Sequence, residues 1–540
     1  MKKRLRLIGL LAAPLPVLAL AAAPATASQA PAARTALSSE VVSAVSRAAH
    51  TGTIASGQKL SLEVSLTPRN QAGLAAFVKE VSDPASPLYR HYLTVPEFAA
   101  QYGASSATIS AVSSYLKSEG LSVGATTANH LTIAVSGTAA AAEKAFGVTI
   151  GTYRDATANR DFYANSAAPS LPTSIAADLD GVAGLSNYAV HTTDVETAKA
   201  TPKASSSILT PTTARSGYNL TTDISDGYKG TGETIGLAEF SAYTASDVAE
   251  YNTKYSLGVT AATVVKVDGG TTDKSGEDED ELDIEVEYAL APAAKVSVYE
   301  APNSDAGEVA LYAALVSADV SVISSSWGEP ETEEDNLSSD DADFEEAAAQ
   351  GQSVYAASGD SGADDNGSSL SVDYPASDPY VTGVGGTQLT LTSGGAWSKE
   401  VAWSDGGGGV SVEWAKPSFQ DSVNTGSYRD VPDVSASAAE PSAWYIYTEG
   451  EWTDVWGTSA AAPNWGAFTA DYDTAAADLG KAKFGFADPF IYTVAESSAY
   501  SSAFHDITSG NNGGYSAKTG YDQATGWGSY NGGNFISDEL

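Results

Sequence analysis

Residues 35–190 mix two periodicities. Leu60-Ser61-Leu62-Glu63-Val64-Ser65-Leu66 alternates apolar and polar positions at period two and predicts a strand, as do Leu131 to Val135 and the shorter Phe162-Tyr163-Ala164. Leu74, Phe77, Val78 and Val81 recur at helical spacing and predict a helix over 70–81. Further helices are expected over 97–102, 108–119 and 138–146. Strands and helices in this order predict an α+β unit on an antiparallel, ferredoxin-like sheet.

From 191 to 213 the periodicity disappears into Thr, Ala, Ser, Lys and Pro, the composition of a linker. Beyond it, over 214–537, the pattern changes again. Apolar runs at 234–238, 263–267, 295–299, 320–324 and 353–356 are spaced by helical stretches at 245–255, 277–290, 306–317 and 340–350. Continuous apolar strands alternating with helices predict a parallel α/β sheet, whose chemistry gathers at the carboxyl ends of the strands.

The net charge is −39. By count, residues 28–205 carry about 12 basic and 13 acidic side chains, whereas 206–540 carry about 12 and 54. A near-neutral unit, a linker and a strongly acidic unit form the layout of an inhibitory pro-segment and its enzyme. A polyanion repels nucleic acid and anionic membrane surfaces, so neither is expected as a partner. There are no cysteines, which excludes disulfides and thiolate chemistry. Lys2-Lys3-Arg4, an apolar stretch and Ala25-Thr26-Ala27 are the parts of a signal peptide over 1–27, so a secreted protein is expected.

Gly457-Thr458-Ser459-Ala460-Ala461-Ala462-Pro463 offers a serine at a helix start, as a nucleophile or as an ordinary N-terminal cap. A serine nucleophile needs a base. Of five histidines, His50, His91, His130 and His191 fall in the pro-segment and linker, leaving His505. His505 lacks the setting of a subtilisin-type triad. The alternative base is a carboxylate. Glu279 and Asp283, four apart in the acidic run 277–287, share one helix face, where like charges separate their pKa values. A solvated acidic face explains the same run. Asp360, in Ser358-Gly359-Asp360-Ser361-Gly362 after a strand, is placed to donate a hydrogen bond to an oxyanion or to form a surface turn. The Asp, Gly and Asn content of 504–522 suits Ca²⁺ or a plain turn.

Together and in this order these motifs resemble the sedolisin family of serine-carboxyl peptidases, over nearly the whole chain. The resemblance implies a subtilisin-like parallel-sheet catalytic domain over 214–537, preceded by a pro-kumamolisin-type activation domain over 35–190, with the maturation cut in 191–213. It implies Ser459 as nucleophile, Glu279 as general base and acid, Asp283 as its orienting carboxylate and Asp360 as the oxyanion acid. Glu239 and Trp327 fall on an outer hydrogen-bond extension. One structural Ca²⁺ is implied at Asp506 and Asp522 and the carbonyls of Ile507, Lys518 and Gly520; the family commonly has Gly at the position of Lys518. The function implied is a monomeric, acid-acting endopeptidase zymogen cutting proteins and peptides. A catalytically inactive, calcium-bound binding protein on the same fold is the alternative.

Overall fold

Strand-forming residues of the acidic half assemble into one eight-stranded sheet. In chain order its strands are β1 (Thr234–Glu239), β2 (Thr263–Lys266), β3 (Lys295–Glu300), β4 (Val322–Ser325), β5 (Ser353–Ala357), β6 (Thr382–Leu391), β7 (Trp397–Ala402) and β8 (Val434–Ser437). The spatial order is β2-β3-β1-β4-β5-β6, all parallel, with β8 parallel and β7 antiparallel to β6. The protein is described by a computed structural model that covers residues 33–37, 41–188, 190–193, 195–199, 207–318, 320–334 and 336–540. The expected signal peptide lies outside the described residues.

Helices cover both sheet faces, so β1, β4 and β5 are buried on both sides and do not alternate between buried and exposed positions. In chain order the helices are α1 (Ala245–Tyr255), α2 (Glu277–Leu290), α3 (Asp305–Val316), α4 (Leu337–Gln350) and α5 (Ala461–Leu479). On one face α2 and α5 bury Leu282, Ile284, Val286, Trp465 and Phe468 with Leu237 and Val322. On the other, α3 and α4 bury Leu311, Leu315, Phe344 and Ala347 with Ile323 and Val354. This is the expected subtilisin-like parallel-sheet domain.

The near-neutral half builds a second, antiparallel sheet from Lys59–Leu66, Ser122–Thr126, Thr132–Thr138 and Leu179–Ala183. Numbered along the chain, their spatial order is 2-3-1-4, and the helices Ser106–Glu119 and Ala139–Phe146 lie in the two crossovers, which is the ferredoxin-like arrangement. Arg34–Leu540 forms one compact unit, with this sheet docked on α3 and α4. Leu74, Val78, Phe98 and Leu131 share a core with Ala342, Ala348, Ala349 and Phe486. Asn129, fully buried, donates to Asp343 at 3.2 Å and Glu346 at 2.7 Å.

The expected linker carries more structure than its composition suggests. Thr192–Thr193 pairs antiparallel with Trp327–Pro330, and Glu196–Lys199 with Glu451–Trp456, while Pro211–Gly217 is a helix. Strand pairing of this kind uses backbone groups offered by a sheet edge, so it leaves no side-chain periodicity to read.

Candidate active site

The expected residues converge at the carboxyl ends of the parallel strands. Glu239 ends β1, Ser326 and Trp327 follow β4, and Asp360 follows β5. Ser459 sits in a 3-10 turn, Thr458–Ala460, that leads into α5. Gly457 before it has φ 146°, a conformation that strains any residue with a Cβ. Ser459 is fully buried, and its hydroxyl donates to the Ser326 carbonyl at 3.4 Å.

Glu279 and Asp283 lie one turn apart on α2, both fully buried. The acidic run is therefore no solvated face: from Glu279 to Leu290 every residue of the helix is buried. Burial raises the Glu279 pKa well above the ordinary carboxylate value, and the Asp283 and Glu239 charges push the same way; the nearby Ser459 hydroxyl opposes them, although it bonds the Ser326 carbonyl and, among the described residues, neither Glu279 oxygen accepts a hydrogen bond. Asp283 is likewise raised well above its ordinary value by burial and by Glu239, against the hydrogen bond from Ser326. The Ser326 hydroxyl lies 2.9 Å from both Asp283 oxygens and 3.1 Å from the Ser459 carbonyl.

Glu239 is buried and accepts the Trp327 indole N–H at 2.7 Å. Burial lifts it to about 7, whereas hydrogen bonding with Asp280 and Trp327 favours its charged form. Asp280 is raised well above its ordinary value by burial and by the Glu239 charge. Glu239, Glu279, Asp280 and Asp283 thus form one buried carboxyl cluster in which charge is limited by mutual repulsion. Gly276, at the start of α2, lets the Trp327 ring close over the cluster: a Cβ there would stand 2.5 Å from the indole.

Asp360 accepts from the Thr458 N–H at 2.8 Å and from the Thr458 hydroxyl at 2.7 Å, so its carboxylate grips the residue before Ser459. Glu277 and Glu281, neighbours of Glu279 along the run, face elsewhere: Glu277 pairs with Lys274 at 2.7 Å, and Glu281 accepts the Thr244 N–H at 2.9 Å. His505 stacks flat on Trp397, ring centroids 4.1 Å apart, and among the described residues it makes no hydrogen bond to Ser459. Two members of the site escaped sequence reasoning. Asp280 lay hidden in a run of acids, and Ser326 in a run of serines; the polar triplet 324–326 ending an apolar strand was the available signal.

Farther along the chain, Asp506 accepts from the Tyr500 hydroxyl at 3.0 Å and the Gly520 N–H at 3.1 Å. Asp522 accepts the Lys518 N–H at 2.8 Å through one oxygen and, through the other, the Ala524 and Thr525 N–H groups and the Thr525 hydroxyl. The Tyr500 phenol is raised by burial and then by the charges of both Asp506 and Asp522, so the two carboxylates face one loop.

Comparison with known proteins agrees with this architecture. Residues 46–188 match the pro-kumamolisin activation domain, and residues 271–528 match the subtilase family. The chain is 33% identical to kumamolisin of Bacillus sp. (strain MN-32) over 521 residues, covering 88% of this chain and 91% of that protein. It is 30% identical to sedolisin of Pseudomonas sp. (strain 101) over 518 residues, 88% and 86% of the two chains. A solved Pseudomonas sedolisin, a serine-carboxyl proteinase complexed with two molecules of pseudo-iodotyrostatin, superposes with a TM-score of 0.55 at 30% identity, over 61% of this chain and 97% of that one. On these grounds the chain belongs to the sedolisin family of serine-carboxyl peptidases.

Proposed function

We propose that this chain is the secreted zymogen of an acid-acting endopeptidase whose nucleophile, Ser459, is activated by Glu279. The observation that carries the reading is the placing of a buried serine, at a helix start, against a buried carboxyl pair on a neighbouring helix.

Glu279 accepts the Ser459 proton as the hydroxyl oxygen bonds to a peptide carbonyl carbon. Asp283, fixed by Ser326, orients Glu279 and shares its proton. Asp360, protonated in acid, and the Ser459 backbone N–H donate to the tetrahedral oxyanion. Glu279 passes its proton to the leaving amine, the C–N bond breaks, and an acyl-enzyme remains. Water then attacks the ester with Glu279 again as base, releasing the acid and restoring the Ser459 hydroxyl. Steps that need protonated carboxyls make the enzyme active in acid.

Substrate and pro-segment compete for one strand edge. Glu196–Lys199 pairs with Glu451–Trp456, the strand that runs into Gly457 and Ser459, and a peptide substrate adds to the same edge by backbone pairing. The docked antiparallel domain holds this segment in place until maturation cuts the chain in 191–213. The mature peptidase is a monomer.

The 506–522 loop fits Ca²⁺: its charged donors are the two carboxylates Asp506 and Asp522, which face one loop and draw no described Lys or Arg into an ion pair. Asp506 and Asp522, with the carbonyls of Ile507, Lys518 and Gly520, would hold it. When bound it supplies rigidity to the loop that closes the sheet's end, and no proton transfer.

The test is acidification of purified Ser459→Ala beside the wild type. The wild type trims itself and then degrades denatured protein at about pH 4, while the variant stays full length. Trimming of the variant in the absence of other proteases would overturn the reading.

A further inference from the structure

The start of the linker runs over a second buried polar cluster, beside Phe240, whose ring packs edge-on against Trp327. His191 is 97% buried by its 3% exposure, and its Nε2 makes no hydrogen bond. That nitrogen points at Glu308 of α3, with Nε2 to Oε2 at 3.5 Å. One ligand atom each from His191, Glu308 and Glu334 lies within 4.8 Å of the other two. The imidazole is held rigidly. Its backbone N–H donates to Asn303 at 3.0 Å, Asn303 donates back to its carbonyl at 2.9 Å, and its ring stacks on Phe240 at 4.4 Å. Glu334 in turn accepts the Asn336 N–H, and Asn336 reaches Glu308 at 3.5 Å.

We propose that His191, Glu308 and Glu334 bind a divalent transition metal, Zn²⁺ being the best match, which clips the linker to the enzyme half of the zymogen. Three arguments support this. Asp305, Glu329, Glu334 and Asp340 crowd Glu308, so the pocket gathers five carboxyls away from water, where a cation would relieve their mutual repulsion. An imidazole with two carboxylates is a donor set for zinc, cobalt or nickel and not for the all-oxygen ions calcium and magnesium. Zinc bonds of about 2.0–2.2 Å bring ligand atoms to roughly 3.3 Å apart, so the three side chains need shift only about 1 Å to close on the ion.

The ligands come from separate parts of the chain. His191 precedes Thr192–Thr193, the pair of residues that strand-pairs with Trp327–Pro330, whereas Glu308 and Glu334 belong to the parallel-sheet half. Metal would therefore fix the linker beside Trp327, the residue bonded to Glu239. That consequence rests on the zymogen reading; the binding itself does not.

The experiment uses the full Ser459→Ala chain, stripped of metal and held near neutral pH with excess Ca²⁺ to saturate any calcium loop. Calorimetric titration with Zn²⁺ should show one site, weakened at least about 10–100-fold in His191→Ala and in Glu334→Gln. Co²⁺ in place of Zn²⁺ should give intense visible absorption that both substitutions abolish. Should His191→Ala not fold, Glu334→Gln and the cobalt spectrum still decide. No zinc uptake, or uptake unchanged in both variants, would overturn the proposal, and neither outcome depends on peptidase activity.

Discussion

The Ser326 hydroxyl stands 2.9 Å from each oxygen of Asp283, the carboxyl that backs Glu279. Through this contact the end of β4 grips the middle of α2, and the Ser326 carbonyl simultaneously receives the Ser459 hydroxyl at 3.4 Å. A single serine thereby ties the helix of Glu279 and Asp283 to Ser459.

Ser326→Ala removes a hydrogen bond that favours ionised Asp283, so the Asp283 pKa rises further. The acid limb of the kcat profile should move to higher pH, with kcat lowered about tenfold and KM little changed. Stability should fall by about 1–2 kcal/mol, read by denaturant titration. An unshifted limb would show that Ser326 only packs.

Buried carboxyls also govern stability against pH. Glu239 is raised to about 7, Glu281 to about 8, Asp343 to about 8 and Asp473 to about 7, each chiefly by burial. Folded pKa values above unfolded ones mean that the folded state binds extra protons. The resulting stability is complete below the ordinary carboxylate pKa and is lost as pH rises through the folded values. His505, lowered to about 4 by burial, acts in the opposite sense as pH falls, but the carboxyls outnumber it. Calorimetry of Ser459→Ala should give a Tm that falls steadily from about pH 4.5 to about pH 8. A Tm that rises over that range would contradict the buried cluster.

Calcium held as proposed at Asp506 and Asp522 would stabilise by mass action, about 2.7 kcal/mol at a hundredfold excess over Kd. EDTA should lower the Tm of the mature enzyme by a few degrees, and Asp522→Asn should remove the effect. A Tm indifferent to EDTA in the unaltered enzyme would leave the loop as a hydrogen-bonded turn.

Much of this was legible in the chain. The helical spacing at 74–81 gave its element because one face lies in a core and the other in water, and the period-two run at 60–66 gave its strand although its polar positions Glu63 and Ser65 are buried too. Continuous apolar strands such as 234–238 were legible because both of their faces are buried. Three features were not. The pairing of Glu196–Lys199 uses backbone alone and leaves no mark in side-chain pattern. Burial of Glu279 to Leu290 contradicts the ordinary expectation for Glu and Asp, and tertiary packing of α1, α5, the helix Pro211–Gly217 and the strand Trp444–Thr448 around α2 produces it. Asp280 and Ser326 stand among like residues, where spacing singles out none.

The central claim is that a carboxyl, and not an imidazole, takes the proton of Ser459. Its most direct measurement is kcat/KM for a peptide at about pH 4 in Glu279→Gln and in His505→Ala, with Tm recorded for both. Glu279→Gln, isosteric but unable to accept the proton, should lose at least about 1,000-fold while keeping its Tm, and His505→Ala should retain activity within a few-fold. Near-normal hydrolysis by Glu279→Gln, or its loss in a stably folded His505→Ala, would contradict the account.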